Sequence, residues 1–160
     1  MENILVLVDK ANKSCQIADH FACRVYPILK EPKLVMTIAE NLYNAFVYGM
    51  DAFLAYEHMY KRIDNPPADF KSRFDVFKSE IAPRYGISKE QLLLISDLKR
   101  VIDYRRKSPV EFVRSNKIII CSDDYRMITM NYDKVKDFLE KSKPFFTRMN
   151  SIFKQNDRRR

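Results

Sequence analysis

Glycine is almost missing from this chain: Gly49 and Gly86 are the only two in 160 residues. A phosphate-cradling loop needs several glycines close together, because a Cβ atom keeps backbone N–H groups from closing around the anion. P-loops and dinucleotide fingerprints are thereby excluded in their usual forms. Tryptophan is absent, and histidine occurs only as His20 and His58. Neither histidine belongs to a His-x-x-x-His, Glu-x-x-His or Cys/His cluster, so no metal site and no cofactor are expected. The three cysteines, Cys15, Cys23 and Cys121, form no CxxC pair. Cys15 and Cys23 are about two helical turns apart, too far along one helix for a disulfide. Reduced, buried thiols in a cytoplasmic protein are the expectation. No run of apolar residues is long enough for a membrane span. The start, "MENILVLVDKANKSC", lacks the basic opening and apolar core of a secretory signal.

What is present suits one globular domain: 46% hydrophobic and 31% charged residues, with nine Tyr and eleven Phe to fill space between helices. Exposed aromatics would serve a subunit interface or stack on bases. The formal net charge of +8 is unevenly placed. Residues 1–97 carry −1, 98–117 carry +5, 118–140 carry −2 and 141–160 carry +6. Such blocks attract phosphate polymers, or simply solubilise a helix end and a tail.

Apolar spacing of three and four predicts a helix over 3–28, through Leu5, Val8, Ala11, Cys15, Ala18, Ala22 and Val25, with Pro27 ending or kinking it. A second, over 33–62, traces one face through Val35, Ile38, Leu42, Ala45, Gly49, Phe53, Tyr56 and Tyr60, and its small residues invite a close neighbour. "DNPPADF" breaks the chain. A short helix over 69–82 follows, and "APRYG" reads as another break. Ser88, with Gln91 three residues on, is a capping box for a helix over 89–107 that Pro109 terminates. "KIIIC" and "YRMITM", separated by "SDD", read as a hairpin, with Asp123 and Asp124 as turn residues. A last helix, 132–153, presents Val135, Phe138, Leu139, Ser142, Phe145, Phe146 and Met149, with Pro144 inside it. The expected fold is mostly α: an antiparallel bundle of about five helices with a small β-hairpin before the last. One domain would span 1–153, with the hairpin at 112–130 and a flexible basic tail at 154–160.

The basic segment "VIDYRRKSPVEFVRSNK" carries the functional expectation. Cations at a helix C-terminus complement its dipole, but Arg105, Arg106 and Lys107 together with Lys99 and Arg100 exceed what that requires. If the hairpin folds back beside the helix end, Arg105, Arg106, Lys107, Arg114, Lys117 and Arg126 would share one face suited to phosphate oxygens. Internal pairing of Arg105 or Arg106 with Asp103, Glu111 or Asp97 is the competing reading.

The long helix pair, the shorter pair and the charged helix end resemble the HEPN-like helical domains over residues 1–108 and the last helix. "SPVEFVRSNKIIICSDDYR" is similar to small archaeal proteins. The HEPN resemblance implies a helical homodimer. In catalytic members four to six residues separate an arginine from the histidine that follows it. Here those positions hold Lys13, Ser14 and Cys15 before His20, and Asp51, Ala52 and Phe53 before His58. The resemblance therefore implies assembly or substrate holding without RNA cleavage, and no catalytic residue is assigned. The expected function is a non-catalytic binding protein contacting RNA, DNA or an acidic protein. A structural homodimer is the alternative, and an enzyme assembled from distant residues such as Glu57, His58 and Arg106 a third.

Overall fold

Proline sets the shape of the first helix. A computed structural model describes residues 1–108, 110–122 and 124–157 of the chain. In it α1 runs over Glu2–His20, passes through a π-helical turn at Phe21–Val25 and closes with Tyr26–Leu29. Within the wide turn the Tyr26 N–H bonds to Phe21 O, five residues back. In that spacing the next donor, for Ala22 O, would come from residue 27, which is proline and has no N–H. Ala22 is buried, so its carbonyl is cut off from water. The hydroxyl of Tyr132 donates to it at 2.7 Å. The Tyr132 ring lies flat on Tyr26, centroids 4.0 Å apart. Tyr132→Phe keeps the stack and removes the donor. It is expected to cost about 1–3 kcal/mol, read as a lower urea midpoint.

The same device recurs. α3 comprises Phe70–Val76, a π-helical turn at Phe77–Ile81 and Ala82–Tyr85. Here Pro83 occupies the place of Pro27, and the Ala82 N–H reaches back five residues to Phe77 O. Both segments stop on a left-handed residue, Lys30 at φ 49° and Gly86 at φ 68°. "FACRVYPILK" and "FKSEIAPRYG" thus fold alike. The break expected at "APRYG" does not occur at residue 82. The π turn absorbs Pro83, and the helix continues to Tyr85.

α2, Leu34–Met59, is the central rod and touches α1, α3, α4 (Lys89–Lys107) and α5 (Tyr132–Asp157). Its width of apolar surface demands this: Val35, Ile38, Leu42, Phe46, Met50, Phe53 and Leu54 are all buried, and they do not fit on a single stripe. α1 meets α2 through Ile4, Val8, Ala11, Ala18 and Ala22, a stripe of mostly small residues that lets two backbones approach. A reciprocal amide pair, Asn12 with Asn150 at 2.8 and 3.0 Å, joins α1 to α5. The rings of Phe46, Phe53, Phe77 and Phe146 surround Phe145 at centroid distances of 5.0–6.3 Å.

The capping box at α4 is present: Ser88 Oγ accepts from the Gln91 N–H and Gln91 Oε1 from the Ser88 N–H, both at 3.3 Å. The hairpin is present too, but as part of a three-stranded antiparallel sheet of order β1-β2-β3, formed by Val110–Arg114, Lys117–Cys121 and Met127–Met130. Ser115 and Asn116, both at positive φ, make the two-residue turn between β1 and β2. Ile118, Ile120, Ile128 and Met130 form the buried face, against the core. α5 runs through Pro144 and on to Asp157, past the expected end at 153. The last part of the expected tail, 158–160, lies outside the described residues, as do Pro109 and Asp123. Among the described residues no helix is long and apolar enough to cross a membrane.

Candidate functional site

Ser108 holds the sheet against the end of α4. Its Oγ accepts from the Val110 N–H at 3.2 Å, and its proton is shared between Val110 O at 2.6 Å and Cys121 O. The start of β1 and the end of β2 therefore sit at the helix terminus, as the fold-back expectation required. Cavity geometry agrees. Arg100, Asp103, Tyr104 and Lys107, one face of α4, form a groove of about 410 Å³ with Ser122 and Asp124 of the β2–β3 turn.

The six cations singled out from sequence divide into two kinds. Arg105 is committed to the fold: Nη1 bonds Glu40 Oε1 of α2 at 2.8 Å and Nε bonds Glu111 Oε2 of β1 at 3.2 Å. Arg126 pairs with Asp124 at 3.3 Å. The Asp124 carboxyl lies below its usual range, chiefly because the Ser122 hydroxyl donates to it, and Arg126 adds to the effect. Lys99 is likewise taken, by Asp103 at 2.8 Å. Arg106, Lys107, Arg114 and Lys117 are different. All four are exposed, and among the described residues none of them, nor Arg100, makes an ion pair.

Arg114 and Lys117 are directly opposed in the β1–β2 register. Like charges facing each other across a strand pair repel and cost stability. An anion placed between them would relieve that repulsion. The helix-end cations lie at the other end of the hairpin, about 13 Å away by strand rise. Arg114 and Lys117 thus stand at one end of the hairpin and the helix-end cations at the other.

Glu57, His58 and Arg106 are not brought together. Glu57 is 0% exposed, whereas His58 faces solvent and its Nδ1 lies 3.4 Å from Ile63 O. Glu57 receives Arg62 Nη1 at 3.1 Å, Arg84 and the Tyr85 hydroxyl. Burial and the adjoining carboxylate push the Tyr85 phenol far up. This cluster ties the end of α2 to the end of α3. Arg106 sits at the far end of α4, about 25 Å of helix from Lys89. Sequence reading passed over Glu57 as a core anchor. The available signal was its position three and four residues beyond Leu54 and Phe53 on a buried stripe.

Cys15 is half-buried, and burial pushes its thiol up to about 11, which keeps it protonated and unreactive. Cys23 is exposed and Cys121 half-buried, and all three thiols are free. Among the described residues no group of three or more His, Cys, Asp or Glu could hold a metal ion. Comparison with protein-family models, curated proteins and solved structures gave no match.

Proposed function

We propose that this chain is a non-catalytic binding protein that takes a nucleic acid or another phosphate-rich polyanion along the strip from the end of α4 to the β1–β2 turn. The observation that carries this reading is the facing pair Arg114 and Lys117, exposed and without a carboxylate partner among the described residues. Arg106 and Lys107 supply the second pole, and Arg100 lines the groove beside them. Arg105 and Arg126, being engaged by carboxylates, serve to position the strip.

Opposed like charges are a liability that a purely structural turn would avoid by placing a glutamate at one of the two positions. Phosphate oxygens suit the vacant donors, since arginine forks and lysine ammonium groups bind them with charge-assisted hydrogen bonds. The HEPN-like resemblance belongs to the same proposal as a holding role. A homodimer would double the strip about its twofold axis.

The test is fluorescence polarisation with labelled DNA at low salt. Reversing the four exposed cations together (R106E, K107E, R114E, K117E) is expected to weaken binding at least a hundredfold. The pair Arg105→Lys and Arg126→Lys, which keeps charge, is expected to change it little. Equal binding by the fourfold variant and the wild type would overturn the reading.

A further inference from the structure

We infer that the outer face of the three-stranded sheet is a stacking platform for single-stranded nucleic acid, with the ring of Phe112 as its base contact and Arg114 and Lys117 as its phosphate contact. This rests on the polyanion reading and narrows it to one ligand class.

The sheet register fixes which residues share that face. Phe112 is opposite Ile119, which is opposite Thr129; Val110 is opposite Cys121, which is opposite Met127. In an antiparallel sheet directly opposed residues point to the same side. The inward side is taken by Ile118, Ile120, Ile128 and Met130, all buried. Phe112 and its neighbours therefore point outward. Val110 is 50%, Phe112 40% and Met127 65% exposed. A large ring with that much open surface, beside two cations that no described carboxylate engages, is an unusual arrangement for a sheet that only covers a core.

Charge selects the occupant. An acidic protein would satisfy Arg114 and Lys117 but has no use for the π face of Phe112, whose cross-strand neighbour is Ile119. A duplex would present its phosphates and hide its base faces. A single strand offers both at once: phosphates for the cations at the β1–β2 turn, and unstacked bases for Phe112. The strand's path is then along the hairpin, roughly 13 Å from Lys117 to Cys121 by strand rise, toward Lys107 and Arg106 at the other pole. That length suits the two or three bases that small sheet platforms stack. Tyr125, 95% exposed on the β2–β3 turn, stands at the far end of this path.

The absence of tryptophan makes the test clean, because Phe112→Trp introduces the single indole in the chain. Its emission is expected to be quenched by an oligothymidylate of about 12 nucleotides and to stay unchanged with heparin, which carries charge without bases. Phe112→Leu keeps apolar volume on an exposed edge strand but removes the π face. It is expected to bind the oligonucleotide about tenfold more weakly, with heparin binding and salt dependence as in the wild type. If Phe112→Leu binds the oligonucleotide as tightly as the wild type, or the indole signal ignores it while salt-sensitive binding persists, the platform is overturned and the polyanion reading stands. If the wild type binds neither ligand at low salt, both fall. If the indole emission follows protein concentration rather than oligonucleotide, and light scattering shows a matching rise in mass, the face is a contact between two copies and the inference fails.

Discussion

Removing both arginines that hold Glu57, as Arg62→Ala with Arg84→Ala, is expected to destabilise the fold by about 3–5 kcal/mol. The effect is large because the two sides of the pair are not alike. The Arg62 and Arg84 side chains are 44% and 43% exposed and can turn to water, whereas the Glu57 side chain is 0% exposed and cannot. Taking away the cations leaves a buried carboxylate with Tyr85 as its remaining side-chain donor. Glu57→Gln works the other way. It releases two cations into solvent and keeps an acceptor for Tyr85, so it is expected to cost less than the double arginine variant. Placed on the Arg62→Ala, Arg84→Ala background, Glu57→Gln is expected to recover part of the loss, since it removes the stranded charge. Urea midpoints for the four proteins complete the cycle. A double arginine variant within about 1 kcal/mol of the wild type would show that water reaches Glu57.

The second large effect concerns Gly49 and Phe145. A Cβ at Gly49 would lie 2.8 Å from Phe145 Cε1 and 3.2 Å from Met149 Sδ. Met149 can shift its thioether, but Phe145 is boxed in by four other rings. Gly49→Ala is therefore expected to destabilise by about 1–3 kcal/mol, although alanine is the better helix former by up to about 1 kcal/mol. Phe145→Ala empties the centre of the ring cluster and is expected to cost about 3–5 kcal/mol. The sign at Gly49 then reverses: in the Phe145→Ala background the added methyl meets only the movable thioether of Met149, and Gly49→Ala becomes stabilising. Thermal or urea unfolding of the two single variants and the double variant decides it. Additive effects would mean that the ring moves aside freely.

These two sites also mark where sequence stops being legible. The helices could be read because their apolar residues recur at three and four over long spans, as from Val135 to Met149. Ser88 and Gln91 could be read because a capping box is a local code. The close approach at Gly49 was foreseeable from its small neighbours, though not that a ring of α5 would fill it. β1 offers no inward stripe, since all five of its residues are exposed. Its place in the sheet depends on pairing with β2 through a Ser-Asn turn, a weaker signal than Asn-Gly. The π turns come from a contest between proline and the helix ladder that residue spacing does not record. The partners of Arg105 show the limit most clearly. Glu111 is six residues away and was foreseen as a partner, but Glu40 is 65 residues away and only the tertiary fold brings it near. Which cations remain unpaired could not be known until those pairings were.

Whether the remaining cations bind phosphates is measured most directly by the salt dependence of affinity for a labelled single strand. With four cations each displacing condensed counterions, the logarithm of the association constant should fall against the logarithm of salt concentration with a slope of about −3. The variant Arg114→Gln, Lys117→Gln should flatten it to roughly half. A slope near zero, or one that the paired substitution leaves unchanged, would contradict the assignment of this strip as the binding surface.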